Sequence, residues 1–219
     1  MAKAEKNLFD DDRAGAIYRT AARMIYEKGF DATSMNGIAE ALGMTKPGLY
    51  YYVKGKKELL SSIMGFAMDQ LEESVIGPAR EIADPEERLR IIVRQHARLL
   101  TQQNEAGVLA ILMDEVGGLS PEQKQRIVER KRGYFDFVRS TLDELAAIGR
   151  LRQVNSTVGS FSILGMVMWI SRWYQHDGKL TSEQVVADLT DIAVSGLLLP
   201  QATPQTATAD FLPTSSSRD

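Results

Sequence analysis

The chain has 219 residues, of which 44% are hydrophobic and 25% charged, and it contains no cysteine. These proportions are typical of a folded globular protein, and the absence of cysteine excludes disulfide frameworks and thiolate metal sites. The net charge of −3 argues against a protein that coats nucleic acid indiscriminately, although residues 1–60 carry ten Lys and Arg against eight Asp and Glu. Any DNA-facing surface must therefore be local.

We expect neither a membrane span nor a signal peptide in this sequence. Charged residues interrupt every apolar run before the roughly 18 residues that a membrane span requires. The opening residues, MAKAEKNLFDDD, lack the apolar core of a signal peptide. We therefore expect a cytoplasmic protein with no membrane partner.

Helical periodicity and helix caps dominate the chain and predict an all-α fold of about nine helices. The first helix is predicted over Asp12–Lys28, ended by a left-handed cap at Gly29, and residues 1–11 before it are predicted to be flexible. Two short helices follow. A fourth is predicted to start near Lys56 and to end where Gly77-Pro78 breaks the pattern.

Three later helices begin at capping signals, in which Asp, Ser or Thr stands three residues before Glu or Gln. The Pro-, Thr- and Ser-rich residues 200–219 have little to bury, so we expect a disordered tail. The helix at 157–176 is apolar on nearly every face, and we expect it to be buried on all sides. The later helices are predicted at about 85–102, 104–116, 121–148, 157–176 and 182–199.

The most informative stretch, Thr33 to Glu58, has the pattern of a helix, a tight turn and a second helix. We expect Thr33 to cap the first helix, Gly43 to supply a positive φ at its exit, and Thr45 to cap the second. The inner faces of the two helices are apolar and predict a small shared core, formed by Ile38, Leu42, Leu49 and Val53.

The outward face of the second short helix is small and polar, which suits the major groove of DNA. Gly48 allows a close approach to the groove, where Lys46 can donate to guanine. The alternative is a small helical hairpin whose tyrosines only pack. The candidate DNA-binding residues, including those placed to hold phosphates, are Thr33, Ser34, Asn36, Thr45, Lys46, Pro47, Gly48, Tyr50, Tyr51, Lys54 and Lys56.

This stretch resembles, without a gap, the DNA-binding signature of the TetR family of repressors. It departs from the signature at Val53, where the family more often has Phe, and at Pro47, which lies in a first helical turn whose N–H groups have no helical partner anyway. The matching segments are Gly29-Phe30, Thr33-Ser34, Ile38-Ala39, Leu42-Gly43, Leu49-Tyr50-Tyr51 and Lys56-Lys57-Glu58.

The resemblance implies an all-α homodimer in which residues 12–57 form a helix-turn-helix DNA-binding domain and residues 58–199 bind a ligand and dimerise. It also implies that the last two helices of each subunit form a four-helix interface. The sequence itself gives the last helix a wide apolar stripe, and Gly159 and Gly165 let the penultimate helix approach a neighbour. The candidate interface residues are Gly165, Val185, Leu189, Ile192 and Gly196.

Thioether and aromatic side chains in the predicted sensor half suit an apolar guest molecule. Plain core packing is the alternative for each of them. The charged run 126–139 also has two interpretations, a solvated helix face or an anion-binding site. The candidate ligand-binding residues are Met64, Met68, His96, Met113, Tyr134, Phe137, Met166, Trp169 and Trp173.

The segment 169–184 resembles the Trp-Tyr…Gly…Leu-Thr/Ser…Glu segment of a TetR subgroup. Several members of that subgroup sense acyl-coenzyme A thioesters, so the resemblance implies a thioester effector. A purely structural role for Gly178 as a turn and Thr181 as a cap is the alternative.

Catalytic and metal-binding constellations are not found in the sequence. His96 and His176 are its only histidines, and it has no Gly-x-Ser-x-Gly motif or phosphate-binding loop. We expect no enzyme, no metal and no cofactor other than a small-molecule effector. The resemblance to the TetR family therefore implies a transcriptional repressor that binds palindromic operator DNA as a homodimer and is released by a small apolar or acyl-thioester metabolite. A ligand-independent architectural DNA-binding dimer is the first alternative, and an enzyme with an appended DNA-binding domain is the second.

Overall fold

The computed structural model describes residues 2–102, 106–113 and 119–200, with side chains from residue 13 onward. All but the first residue of the predicted tail at 200–219, and part of the predicted helix at 104–116, lie outside these ranges. The described α-helices are α1 (Ala2–Lys28), α2 (Met35–Ala41), α3 (Lys46–Tyr52), α4 (Lys56–Leu71), α5 (Gly77–Arg80), α6 (Pro85–Thr101), α7 (Ala106–Ala110), α8 (Pro121–Ala147), α9 (Ser156–Trp173) and α10 (Ser182–Leu197).

The architecture is all-α, as the periodicity predicts. A π-helical turn at Glu72–Ile76 joins α4 to α5, and a 3-10 turn at Ile111–Met113 follows α7. If the continuous stretch Lys56–Arg80 is counted as one helix, the described residues contain the nine helices that the sequence predicts. No helix in these ranges is both long and apolar enough to cross a membrane.

The N-terminal helices pack onto the larger helical half through α1 and α4. Helix α1 packs against α2, α4 and α7, whereas α6 packs against α8, α9 and α10. The buried apolar side chains of both halves belong to one cluster that extends from Ile17 in α1 to Leu198 beyond α10. Because α4 contacts α1, α7 and α8, it links the two halves mechanically.

Helix starts follow the predicted caps closely. Ser120 and Thr181 each make the full reciprocal capping box with the Gln three residues later, and Asp84 accepts from the N–H of Glu87 at 3.0 Å. Helix α1, however, begins at Ala2 rather than Asp12, so the backbone of residues 2–11 is helical and not irregular. No Gly or Pro interrupts those residues, and Ala, Lys and Glu favour a helix.

The prediction that Gly77-Pro78 ends the fourth helix is wrong, since helical turns continue to Arg80. The π-helical turn explains this continuation. The N–H of Gly77 bonds to the carbonyl of Glu72, five residues earlier, and Pro78 then stands in the first turn of α5, where its missing N–H costs little. Within the described part of the predicted helix at 104–116, α7 and its 3-10 turn span Ala106–Met113.

The prediction that the penultimate helix is buried on all sides is also wrong for the single chain. Phe161 and Trp169 on α9 are 64% and 58% exposed, and Ile192 on α10 is 63% exposed. Hydropathy measures only how apolar a face is, and it does not distinguish a face covered by the same chain from one covered by another. These residues give the single chain an exposed apolar surface on two adjacent helices.

Candidate DNA-binding surface and sensor core

The first helix of the motif is capped by Ser34 and not by Thr33. Ser34 Oγ accepts from the N–H of Gly37 at 3.1 Å. Thr33 is buried, and its hydroxyl donates to the carbonyls of Gly29 and Met24 at 2.9 and 3.2 Å. Its hydroxyl therefore secures the turn between α1 and α2 and does not face a phosphate.

The turn and the second helix form as predicted. Gly43 has a φ of +60°, in the left-handed region that favours glycine, and Thr45 Oγ1 accepts from the N–H of Gly48 at 3.2 Å. A Cβ on Gly48 would lie 3.2 Å from that same Oγ1, so the cap and the glycine fit each other closely. Leu49 and Val53 turn inward and are buried.

The opposite face of α3 is open. Tyr51 is 75% exposed and Tyr50 is 41% exposed, whereas Tyr52 packs against the core. The alternative in which all the tyrosines only pack therefore does not describe this surface. The candidate DNA-binding surface, named here the DNA-facing surface, consists of the predicted residues whose side chains are exposed: Ser34, Asn36, Thr45, Lys46, Pro47, Tyr50, Tyr51 and Lys54.

Lys56 is engaged within the protein. Its Nζ donates to the carbonyl of Asp31 at 3.1 Å and lies 4.3 Å from the centroid of the Phe30 ring. Lys56 therefore ties the first turn of α4 to the α1–α2 connection. The predicted basic residues with exposed side chains are therefore Lys46, at the start of α3, and Lys54, just beyond its end.

The sensor half contains a buried polar pair between α6 and α8. The hydroxyl of Tyr134 lies 3.0 Å from Nδ1 of His96, and both side chains are buried. Burial lowers the pKa of His96 from 6.5 to about 4 and raises the pKa of Tyr134, because it disfavours the charged form of each group. The imidazole is therefore neutral near pH 7.

The other predicted ligand-binding residues do not all lie in one place. Met64 and Met68 on α4 are buried in the core cluster, and Phe137 is half-buried beneath the guanidinium of Arg80 at 5.7 Å. Met113 is 40% exposed. The remaining three, Met166, Trp169 and Trp173, line a surface groove beside α9.

That groove lies between α9 and α10 and has a volume of about 430 Å³. It brings together four of the five predicted interface residues with the three displaced aromatic and thioether side chains. We call it the α9–α10 groove, and its lining is Gly165, Met166, Trp169, Trp173, Leu180, Val185, Asp188, Leu189 and Ile192. Gly196 lies outside it, with open space where a Cβ would stand.

Glycines in α9 serve two different surfaces. A Cβ on Gly159 would lie 2.9 Å from Cδ1 of Leu142, so this glycine lets α9 and α8 pack closely within the chain. A Cβ on Gly165 would meet nothing within 4 Å, because this glycine faces the α9–α10 groove.

Contacts that join α1 and α4 to the later helices were not predicted from the sequence. The hydroxyl of Tyr26 on α1 donates to the carbonyl of Ser171 on α9 at 2.8 Å. Arg130 on α8 donates to the carbonyl of Gly65 at 3.2 Å and pairs with Asp69 at 2.8 Å, both on α4. Part of the charged run 126–139 therefore binds α4 and is not simply a solvated face. We call the two contacts of Arg130 with α4 the Arg130 clamp.

Metal-binding chemistry finds no support in the described part of the chain. No group of three or more His, Asp or Glu side chains is arranged there to hold a metal ion.

Comparisons with known proteins agree with this geometry. The family model described as bacterial regulatory proteins, tetR family, matches residues 17–63. The model described as the tetracyclin repressor-like C-terminal domain matches residues 83–197. Together they cover the DNA-facing surface, the buried pair and both helices of the α9–α10 groove.

Individual relatives match nearly end to end. A crystal structure of apo AibR is 40% identical, covers 82% of this chain and 97% of its own, and has a TM-score of 0.76. One of AibR in complex with isovaleryl coenzyme A and operator DNA is 41% identical, with the same coverage and a TM-score of 0.74. The fatty acid metabolism regulator protein of Bacillus subtilis (strain 168) is 24% identical over 183 residues, which are 83% of this chain and 93% of the relative.

Proposed function

Because this chain belongs to the TetR family of bacterial transcriptional regulators, we propose that it is a repressor which binds an inverted-repeat operator as a homodimer and is released by an acyl-coenzyme A thioester. The observation that carries the DNA-binding part is the exposed outer face of α3, with its core residues turned inward. In a helix-turn-helix, the second helix enters the major groove and its N-terminal residues contact base edges.

Each part of the DNA-facing surface has its own role in this proposal. Lys46 and Pro47, in the first turn of α3, face the bases, and the ammonium of Lys46 donates to guanine O6 or N7. Tyr50, Tyr51 and Lys54 contact phosphates on the flanks, which fixes the position of the helix without reading sequence.

The dimer is proposed on the α9–α10 groove. Trp169, Trp173 and Ile192 in its lining are exposed in the single chain, whereas Val185 and Leu189 form its buried floor. Gly165 leaves room for close approach of a second backbone. A two-fold dimer places two copies of α3 about one turn of DNA apart, or a multiple of that distance, and so selects an inverted repeat.

The effector class is proposed from similarity together with the sensor core. AibR, about two-fifths identical over most of both chains, was crystallised with isovaleryl coenzyme A and operator DNA. The core of this chain offers flexible thioethers at Met64 and Met68 and a neutral polar pair, His96 and Tyr134. Such surroundings suit a short apolar acyl group with one neutral polar atom better than a free carboxylate.

Release requires that the effector prefer one of two arrangements of the dimer. Helix α4 is the element through which we propose this preference is transmitted, since it begins beside the motif and Arg130 holds its middle from the sensor side. Taking a population from 99:1 to 1:99 needs a differential affinity of about 5.5 kcal/mol.

The test is a binding titration of the full chain with duplex DNA from the region upstream of its own gene. A duplex of shuffled sequence is the control, and both are titrated at two salt concentrations. We expect specific binding that isovaleryl-coenzyme A releases and that free coenzyme A and isovalerate do not. Equal binding to both duplexes would contradict the repressor, and specific binding indifferent to a panel of acyl-coenzyme A thioesters would contradict the effector class.

A further inference from the structure

The buried pair between α6 and α8 leaves one polar atom without a partner. Nδ1 of His96 is matched with the hydroxyl of Tyr134, but Nε2 of the same ring has no hydrogen-bond partner among the described residues, although it is fully buried. Buried polar side-chain atoms are nearly always hydrogen-bonded, so an orphaned one points to a group that binds there.

The hydrogen bond to Tyr134 decides what kind of group this is. A phenol hydroxyl is a better donor than a neutral imidazole N–H, and among the described residues the hydroxyl of Tyr134 bonds only to this ring nitrogen. Tyr134 therefore donates to Nδ1, which leaves the proton of the neutral ring on Nε2. Nε2 is then a buried N–H donor that requires an acceptor.

The charge of the site restricts the acceptor further. The ring is neutral because its pKa lies well below 7, and the phenol is neutral because burial raises its pKa. Two neutral groups do not compensate the desolvation of a carboxylate, whereas a carbonyl oxygen is desolvated at much smaller cost. The matching acceptor is an uncharged carbonyl.

We propose that the Nε2–H of His96 donates a hydrogen bond to the carbonyl oxygen of the effector's acyl group, and that Tyr134 is the positioning residue that holds the ring in the donating tautomer. This proposal rests on the thioester effector proposed above. It adds that recognition of the acyl carbonyl, and not only of acyl shape, sets the effector's affinity.

The experiment compares two ligands that differ in whether they carry the carbonyl oxygen of the acyl group. Isovaleryl-coenzyme A carries the thioester carbonyl, and the thioether S-(3-methylbutyl)-coenzyme A has the same acyl skeleton with a methylene in its place. Affinities of the full-length protein for both are measured by calorimetry. We expect the thioester to bind roughly tenfold more tightly, the value of one neutral hydrogen bond whose donor is otherwise unsatisfied.

The double variant His96→Leu/Tyr134→Phe removes the donor and its positioning partner together, so no polar atom of the pair is left buried and unpaired. We expect it to bind the two ligands with equal affinity. Tyr134→Phe alone keeps the ring of His96 but frees its tautomer, and it should lose part of the preference. The matched control is Ser160→Ala, which removes a buried hydroxyl that bonds within its own helix at 2.8 Å and should keep the full preference.

The outcomes separate the two proposals. If both ligands bind the wild type equally, and the double variant changes neither affinity, the hydrogen bond is overturned while the effector class stands. If neither ligand binds but another acyl-coenzyme A releases DNA, the same comparison is made with that acyl chain. If no thioester or thioether binds, the effector class and the hydrogen bond both fall. Operator binding by the double variant, with a melting temperature near that of the control, verifies that it folds.

Discussion

Two exposed lysines lie at the two ends of α3, the helix proposed to enter the major groove of DNA, and they should have different roles in DNA binding. Lys46 is the first residue of α3, whereas Lys54 lies beyond its last residue, Tyr52. Lys54→Ala should weaken binding to all sequences similarly and reduce the salt slope by about one unit, because it removes one phosphate contact.

Lys46→Ala should instead cost about 1–3 kcal/mol on the operator and little on a shuffled duplex, because it removes a base contact. Both variants are compared by titration at several salt concentrations. Equal losses on operator and shuffled DNA for Lys46→Ala, with the salt slope unchanged for Lys54→Ala, would contradict these roles.

The buried His96 should make stability depend on pH. Its pKa is about 4 in the folded state against 6.5 for an ordinary histidine, so the unfolded chain binds more protons between these values. The contribution of His96 is therefore fully present above pH 6.5 and is lost as the pH falls towards 4, with a limiting slope of about 1.4 kcal/mol per pH unit.

Denaturant unfolding at several pH values in that window checks this. The wild type should lose stability more steeply than the double variant His96→Leu/Tyr134→Phe, which has no such group. Glu86 is a second titrating group, since its hydrogen bond to Arg150 lowers its pKa, but its contribution is lost only at more acid pH, below 4.5. Parallel curves for the two proteins between pH 6.5 and 4 would show that His96 is not the buried neutral group described.

At the scale of single helices, capping and turn chemistry could be predicted well because they are local. The spacing of Thr45 and Gly48 and the glycine at position 43 specify their own geometry within a few residues. The cap of α2 was assigned one residue too early. Ser34 and Thr33 both have side chains that cap helices well. Only the nearby carbonyls of Met24 and Gly29 decide that the Thr33 hydroxyl bonds to the preceding residues and does not cap α2.

Helix α4 shows where local rules are insufficient. Gly77-Pro78 is a breaker by pattern, yet the π-helical turn over Glu72–Ile76 carries the chain through it to Arg80. Such a turn depends on packing of Val75 and Ile76 into the core, which is a tertiary effect. The Arg130 clamp on α4 was missed for the same reason, because its partners lie more than 60 residues away in sequence.

The Arg130 clamp should affect the coupling between effector binding and operator release more than it affects the stability of the protein. The carboxylate of Asp69 is mostly exposed, so the ion pair is worth less than about 1 kcal/mol. Arg130→Gln should therefore change the melting temperature little but reduce the release of operator by isovaleryl-coenzyme A about threefold, a coupling loss of about 0.6 kcal/mol.

The matched control is Arg139→Gln on the same helix, whose ion pair with Asp136 at 3.1 Å stays within α8. It should leave release unchanged. The measurement is the ratio of operator affinities with and without the thioester, determined for both variants. A normal ratio in Arg130→Gln, or an equal reduction in both variants, would argue against α4 as the transmitting element.

At the scale of the whole molecule, the groove between α9 and α10 is where sequence reasoning mixed two sites. Met166, Trp169 and Trp173 were grouped with the sensor core because flat and polarisable side chains suit both a ligand and an interface. Composition does not separate these uses. The folded structure does, since these side chains line the α9–α10 groove with Ile192.

Charge placed in the groove should break the proposed dimer. Ile192→Arg should convert the dimer to a monomer in light scattering, and weaken operator binding at least about tenfold, because two half-sites are no longer held together. Ile148→Arg is the control, since Ile148 is as exposed but lies at the end of α8, outside the groove. A dimeric Ile192→Arg variant, or a monomeric Ile148→Arg variant, would place the interface elsewhere.

The central claim is that operator and acyl-coenzyme A thioester compete for two arrangements of one dimer. Linkage makes this effect reciprocal: the factor by which the thioester weakens operator binding equals the factor by which operator weakens thioester binding. The most direct measurement is calorimetry of isovaleryl-coenzyme A binding to the free protein and to the operator-saturated protein. We predict weaker binding to the operator complex, by the same factor found in DNA titrations. Equal affinity for the two forms would contradict the account.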